Sequence, residues 1–375
     1  MTHLAKTINS NFIPIAEPWI GKEEEVLVLD ALRSGWISSI GRYVGEFEDE
    51  FARFASAKHA ITVSNGTAAL HLALVALEIG PGDEIIIPDL TYIATANAVA
   101  YTGATPVLVD VDKDTWTIDP NKIEAKINRR TKAIIPVHLY GHPADMDPIM
   151  AISRKHNLFV IEDAAEAHGA IYKNQVVGSI GTIGCFSFFG NKIITTGEGG
   201  MLTLNNNTLA EKIRILKNQG VSKTKKYFHP EIGFNYRMTN IQAAIGLAQL
   251  RKVQKVIDRK IAIAKLYQKF LSPLVPQVTL HPQAEWARCV FWLYSILIHN
   301  KGIKNRDHLM EALKESNIDS RPFFYPIHHQ PKYKSKDRLP VSENLSTSGI
   351  NLPSSPNLTD EKIEYICKKI ITFLD

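Results

Sequence analysis

Residues 60–77 read AITVSNGTAALHLALVAL. The first four form a short apolar, β-branched run, Ser64-Asn65-Gly66-Thr67 supplies a turn, and the alanine- and leucine-rich remainder is a strong helix former. A strand that turns directly into a helix is the repeating unit of an α/β domain. The unit recurs: strands are expected at residues 84–87, 106–109, 133–138 and 158–161, with helices at 95–101, 120–127 and 146–156. Short buried strands separated by helices give a sheet that is largely parallel.

Working outward, residues 20–54 carry Val26, Leu27, Leu29, Leu32, Val44, Phe47, Phe51 and Phe54 at helical spacing, broken at Ser34-Gly35 and at residues 38–41. After residue 185 the texture changes. Residues 185–189 and 200–204 read as strands around a polar, glycine-rich stretch, so the sheet is expected to become mixed there. Residues 239–263 contain no Pro and only Gly246, which predicts one long helix. That helix links a large domain, residues 1–250 with 1–30 as a lead-in, to a smaller C-terminal α/β domain, 251–375. In the latter, β-like runs fill 273–295, helices 306–316 and 359–374, and an aromatic, His-rich loop 323–331.

The 375 residues are 45% hydrophobic and 22% charged, an ordinary globular balance. Cys185, Cys289 and Cys367 are too few and scattered for a disulfide framework or a cysteine-rich metal site, and no metal is expected. The N-terminus has no apolar core of a signal peptide, and nowhere do about 18 apolar residues run uninterrupted. A soluble, cytoplasmic chain without membrane contact is expected. The net charge of +5 lacks a clustered basic stripe or a reading module, so nucleic acid is not an expected partner. The run at 223–226 fits a solvated loop.

Three segments could carry chemistry. Gly66-Thr67 opens a helix, where unpaired N–H groups and the positive dipole end attract anions; an ordinary helix cap is the alternative. Asp163 follows a buried strand, where open α/β sheets place their ligands, and could hold a protonated ring nitrogen, a ribose or a metal, or simply cap a helix. Nearby His168 fits packing better than catalysis. Lys192 stands in Phe186-Ser187-Phe188-Phe189-Gly190-Asn191-Lys192, ahead of Thr195-Thr196-Gly197-Glu198-Gly199-Gly200. Burial there would lower its pKa, as an amine needs to form an imine or move a proton. Gly178, Gly181 and Gly184 have the wrong spacing for a dinucleotide fingerprint.

An anion cup, Tyr92 after a strand, a carboxylate and a buried lysine are what pyridoxal 5'-phosphate requires. In its motifs the chain resembles the DegT/DnrJ/EryC1/StrS sugar aminotransferases, and the resemblance covers nearly all of it. The motifs are Gly35-Trp36, residues 45–54, Asn65-Gly66-Thr67-Ala68-Ala69-Leu70, 137–147 (VHLYGHPADMD), 162–170, 186–192 and 233–246 (GFNYRMTNIQAAIG). The resemblance implies fold type I, the aspartate-aminotransferase-like architecture. It implies Lys192 as the imine-forming lysine, Asp163 as partner of the pyridine nitrogen, and Gly66, Thr67 and Ser187 as phosphate holders. Tyr92 would stack on the ring and Glu166 would lie near its hydroxyl. Asn235 would reach the cofactor of a neighbouring subunit, making composite sites in a homodimer. Asn65 stands where the family more often has Ser.

The resemblance further implies glutamate as amino donor and a nucleotide-linked keto sugar as acceptor. The run 193–200 (IITTGEGG) looks like that of members aminating C4 rather than C3. Residues 189–192 with 138–143 are most similar to members acting on GDP-4-keto-6-deoxymannose for surface polysaccharide or O-antigen synthesis; a UDP-4-keto-6-deoxy-hexose is the alternative. A sugar dehydratase of this fold would carry His in place of Lys192, and a non-catalytic regulator would need no sugar pocket. In the loop 321–329, Arg321 offers a planar fork suited to a diphosphate, and Tyr325 and His328 are expected along the hexose.

Overall fold

The computed structural model describes residues 12–299 and 305–375, so residues 1–11 of the lead-in segment lie outside the described residues. In chain order the helices are α1 (Lys22–Ser34), α2 (Arg42–Phe54), α3 (Gly66–Ala76), α4 (Ala94–Tyr101), α5 (Pro120–Ile123), α6 (Met146–His156), α7 (Asn207–Lys217), α8 (Asn240–Arg251), α9 (Val253–Leu271), α10 (Arg306–Glu315), α11 (Pro340–Ser348) and α12 (Asp360–Leu374). The first seven strands are β1 (His59–Val63), β2 (Glu84–Pro88), β3 (Thr105–Val109), β4 (Thr131–Ile134), β5 (Phe159–Asp163), β6 (Ile171–Tyr172) and β7 (Gln175–Val176). The remainder are β8 (Ile183–Ser187), β9 (Gly200–Leu204), β10 (Val278–Thr279), β11 (Ala287–Arg288), β12 (Tyr294–Ile298), β13 (Arg321–Pro322) and β14 (Gly349–Leu352).

Seven strands form one sheet in the order β1-β9-β8-β5-β4-β2-β3. The β2–β3, β2–β4, β4–β5 and β5–β8 pairs are parallel, whereas β9 runs antiparallel to both β1 and β8. The sheet is therefore mostly parallel and becomes mixed where the texture of the sequence changes. The predicted strand at 133–138 ends early, at Ile134: Pro136 cannot donate to a ladder, and only a bridge between Val137 and Asp163 continues it.

Burial of α3 is nearly all-round, from Ala68 through Leu74, which explains its uniformly apolar sequence. The face of α2 carrying Tyr43, Phe47 and Phe51 is buried, and Phe51 meets Phe186 and Phe188 edge-on at 5.0 and 5.4 Å between centroids. A second, four-stranded sheet, β10-β12-β14-β13, is antiparallel and shares an apolar core with residues of α9, α10 and α12. Ile13 belongs to that core, through a bridge to Ile318.

The long helix expected at 239–263 is two helices. Its chain leaves helical geometry at Lys252, φ −108° and ψ 6°, and α9 then runs on to Leu271. The Lys252 ammonium donates to the Trp19 carbonyl at 2.6 Å and pairs with Glu24. Both anchors come from the lead-in region, so the break has a tertiary cause.

Candidate active site

The carboxyl ends of β1, β2, β5 and β8 open on one side of the large sheet, and a cleft of about 580 Å³ lies there. Gly66, Thr67, Tyr92, Asp163, Glu166, Ser187 and Lys192 all line it. Open parallel sheets bind ligands at this edge because strand ends and helix N-termini converge on it.

At the β1–α3 junction, Asn65 caps the helix by accepting the Ala68 N–H at 2.8 Å. The backbone N–H groups of Gly66 and Thr67 have no intrahelical partner and face the positive end of the dipole. A Cβ on Gly66 would fall 2.7 Å from Ser187 Cβ, so only glycine lets the two segments meet as the two sides of one anion cradle.

Asp163 ends β5. One of its oxygens accepts the Thr95 hydroxyl at 2.9 Å and the other the Ala165 N–H at 3.2 Å. Burial raises its pKa, against the opposing pull of those bonds and of Lys192. Glu166 is likewise raised by burial; it accepts the Tyr140 N–H at 2.8 Å and faces Lys192 Nζ at 3.5 Å. Tyr140 is a buried non-glycine residue at φ +52°, a conformation that aims its N–H at this carboxylate.

Lys192 follows the strand end through a turn closed by its own N–H on the Phe189 carbonyl at 2.9 Å. The side chain is only 11% exposed, and burial lowers its pKa while Glu166 and Asp163 oppose the shift. Its ammonium lies 3.7 Å from the centre of the Trp292 ring, a cation–π contact. Trp292 is fixed by its indole N–H on the Asn191 carbonyl at 2.8 Å and its backbone N–H on Tyr140 O at 3.1 Å. Gly141 makes that approach possible, since a Cβ there would lie 2.9 Å from the Trp292 nitrogen.

Other expected residues stand elsewhere. Asn235 is exposed and accepts two bonds from Arg237 at 3.0 and 2.7 Å; Tyr236, not Asn235, lines the cleft. Arg321 pairs with Asp319 at 3.0 Å, outside the cleft. Phe324 lines the mouth, its ring 5.6 Å from that of Tyr92, and the next residue, Tyr325, is 67% exposed. His328 is buried against Asp89. His168 sits against Phe186 and Phe188, its pKa pushed down to about 3 by burial and by Lys192 against the opposing pull of the Ser187 backbone. The glycine stretch at 178–184 wraps a carboxylate of its own chain. The N–H groups of Gly178, Ile180 and Gly181 donate to Glu162 at 2.7, 2.7 and 2.6 Å, with His138 Nε2 at 3.0 Å.

Thr95, Tyr140 and Trp292 were not singled out from the sequence. Thr95 stands one helical turn beyond Thr91, where it could have been suspected; Trp292 carries no local signal.

A glycine-floored helix N-terminus, a buried carboxylate and a lysine whose ammonium form burial disfavours suit pyridoxal phosphate in both shape and charge. Fold and site together define a pyridoxal-phosphate-dependent enzyme of fold type I. The chain belongs to the DegT/DnrJ/EryC1/StrS aminotransferase family, whose pattern matches residues 18–371. It is 50% identical to the GDP-perosamine synthase of Caulobacter vibrioides, over 94% of this chain and 96% of that protein. It is 48% identical to the GDP-perosamine synthase of Escherichia coli O157:H7, over 96% and 98%. A sugar aminotransferase from Streptococcus pneumoniae, solved in its PLP form, superposes with a TM-score of 0.91 at 29% identity, covering 97% of this chain and 98% of that one.

Proposed function

We propose that this enzyme transfers the amino group of glutamate to C4 of GDP-4-keto-6-deoxymannose, forming GDP-perosamine for a surface polysaccharide such as O-antigen. The observation that carries the proposal is the identity of about half the chain, over almost its whole length, to two GDP-perosamine synthases. The cleft supports it with a lysine, a buried carboxylate and a helix N-terminus suited to amino transfer.

When bound, pyridoxal phosphate supplies an electron sink for the carbanion formed at the amino-bearing carbon. Gly66, Thr67 and Ser187 would hold its phosphate through N–H and hydroxyl donors. Asp163, whose ionisation burial opposes, would hold the ring nitrogen protonated as its charge partner. Tyr92 would cover the ring, and Glu166, tied to the Tyr140 N–H, would border it. Lys192, which holds its proton weakly, takes the proton from the amino-bearing carbon and returns it one atom away. Trp292 and Glu166 receive the ammonium while it carries that proton.

The sugar enters past Tyr92, Phe324 and Tyr325. Arg321 and His328 have partners of their own and are left out of the proposed pocket. Asn235 is proposed to complete the site of a second copy. Exposed apolar side chains at Trp36, Ile37 and Ile40 support a homodimer, because a monomer seldom leaves such a group in water. No described helix is long and apolar enough to cross a membrane, and a cytoplasmic setting is proposed. Incubating the enzyme with glutamate and a panel of GDP- and UDP-linked 4-keto sugars, read by mass, tests the assignment. Amination of GDP-4-keto-6-deoxymannose at least tenfold faster than of the UDP sugars is expected. Preference for a UDP sugar would replace the GDP assignment.

A further inference from the structure

Beside the cleft mouth, the segment that carries Phe324 and Tyr325 winds into a short 3-10 helix, Ile327–His329. His328 is buried, with Nδ1 2.7 Å from Asp89 Oδ2 and its backbone N–H on Asp89 Oδ1 at 2.9 Å. Its other ring nitrogen, Nε2, faces Glu343 Oε1 of α11 at 3.2 Å. His329 stands at the surface beside it, the two ring centroids 4.2 Å apart. One ligand atom from each of His328, His329 and Glu343 can be chosen so that all lie within 4.8 Å of one another.

A metal-bound histidine commonly gives its second ring N–H to a carboxylate, which fixes the tautomer and the ring. Asp89 and His328 have that relation. With Nδ1 protonated towards Asp89, Nε2 is a lone pair, and it confronts the carboxylate of Glu343, a second acceptor. Two acceptors so placed need a proton or a cation between them. Ligand atoms bound at about 2.0–2.1 Å around a tetrahedral ion stand roughly 3.3 Å apart, close to the 3.2 Å between His328 Nε2 and Glu343 Oε1. The ring of His329, beside that of His328, places a third ligand atom within 4.8 Å of the other two.

We propose that His328, His329 and Glu343 form a binding site for a divalent ion of the zinc type, with Asp89 orienting His328 and water completing the coordination. Two imidazoles and one carboxylate form a donor set that zinc accepts, and three protein ligands leave a position for water. The ion would join three segments: the loop from Asp89 to Tyr92, the segment following Phe324 and Tyr325, and α11. Since the rings of Tyr92 and Phe324 meet at the mouth, the site is conformational, holding the Asp89–Tyr92 loop against the segment that carries Phe324. It does not depend on which sugar the enzyme aminates.

The test is zinc titration of the chelator-treated holoenzyme in competition with a chromogenic chelator, together with melting curves with and without zinc. One saturable equivalent per chain is expected, with a zinc-dependent rise in melting temperature. His329→Ala and Glu343→Gln should each weaken that binding by about tenfold or more and remove the rise. Both positions reach solvent, so these variants should fold, and a circular dichroism spectrum like that of the wild type checks it. Absence of a saturable equivalent, or zinc affinity within about twofold of wild type in either variant, overturns the proposal and leaves His328 held between its carboxylates by a proton alone.

Discussion

The two sides of the cleft are built by different means. On one side, Gly66, Asp163, Ser187 and Lys192 stand at or just beyond the ends of strands of a single sheet, with Asp163 in register with Cys185 on the neighbouring strand. Their spacing is set by hydrogen-bond ladders that cannot slip without turning every side chain to the other face. On the other side, Tyr92, Phe324 and Trp292 come from loops and from the C-terminal part of the chain, and meet through ring contacts and a few backbone bonds. On the proposed assignment, the proton-carrying Lys192 belongs to the rigid side, and substrate choice to the side where loops can change without disturbing the sheet.

If that division holds, substitutions on the strand side should damage turnover for every acceptor. Lys192→Ala is expected to have the largest effect, a loss of at least ~10³-fold, because among the described residues no other amine lines the cleft. Steady-state rates beside an unchanged circular dichroism spectrum check this. A loss of less than tenfold would remove Lys192 from the chemistry.

Asp163→Asn should cost about 10²-fold or more in turnover while stabilising the cofactor-free protein. Burial raises the Asp163 pKa, so the folded chain keeps a proton that the unfolded chain has lost. Stability contributed at this position therefore falls as the pH rises from the ordinary carboxylate range through the raised value. The variant lacks that fall. Its apo form should melt above wild type at neutral pH, with the difference closing in acid; equal melting at both would contradict the assigned burial cost.

The proposed dimer sharpens the comparison, since it would make the rigid side depend on a second copy. Trp36→Glu with Ile40→Glu should convert a dimer to a monomer by light scattering and lower activity by about tenfold or more, consistent with the loss of a buried apolar contact. Full activity in a demonstrated monomer would remove Asn235 from the site.

A smaller effect is expected from Gly66→Ala. The new Cβ, 2.7 Å from Ser187 Cβ, should push the cradle apart at about 1–3 kcal/mol and weaken cofactor binding in an equilibrium titration. Unchanged affinity would show that the cradle is not the phosphate site.

The smallest effect lies beneath the other side. Buried Lys260 donates to the carbonyls of Trp292 and Ser354 at 2.9 and 2.8 Å, and burial pushes its pKa down to about 7 from an ordinary 10.5. Between those values the unfolded chain binds a proton that the folded chain lacks, so this residue makes stability rise with pH across the window. In Lys260→Met, denaturation midpoints at pH 7 and pH 9.5 should draw closer together than in wild type.

The strand side was legible because its signals are local. A β-branched run, a turn and an alanine-rich helix sit in sequence, and Asp163 and Lys192 follow strands whose apolar patterns announce them. The break at Lys252 was not, because Leu250-Arg251-Lys252-Val253 contains no helix breaker and the cause is a tether to Trp19 and Glu24. Trp292 is held against Lys192 by bonds to Tyr140 and Asn191, far away in the chain. For Arg321 the sequence suggests a diphosphate partner, and in the structure one guanidinium nitrogen meets Asp319, two residues away, at 3.0 Å.

The most direct test of the central claim, that this cleft performs amino transfer through Lys192, is the absorbance of the holoenzyme on adding glutamate without any sugar. The account predicts that the wild-type cofactor band converts to that of pyridoxamine phosphate, and that the Lys192→Ala holoenzyme shows no such conversion on the same timescale. An unchanged wild-type spectrum with saturating glutamate, or equal conversion in the variant, would contradict it.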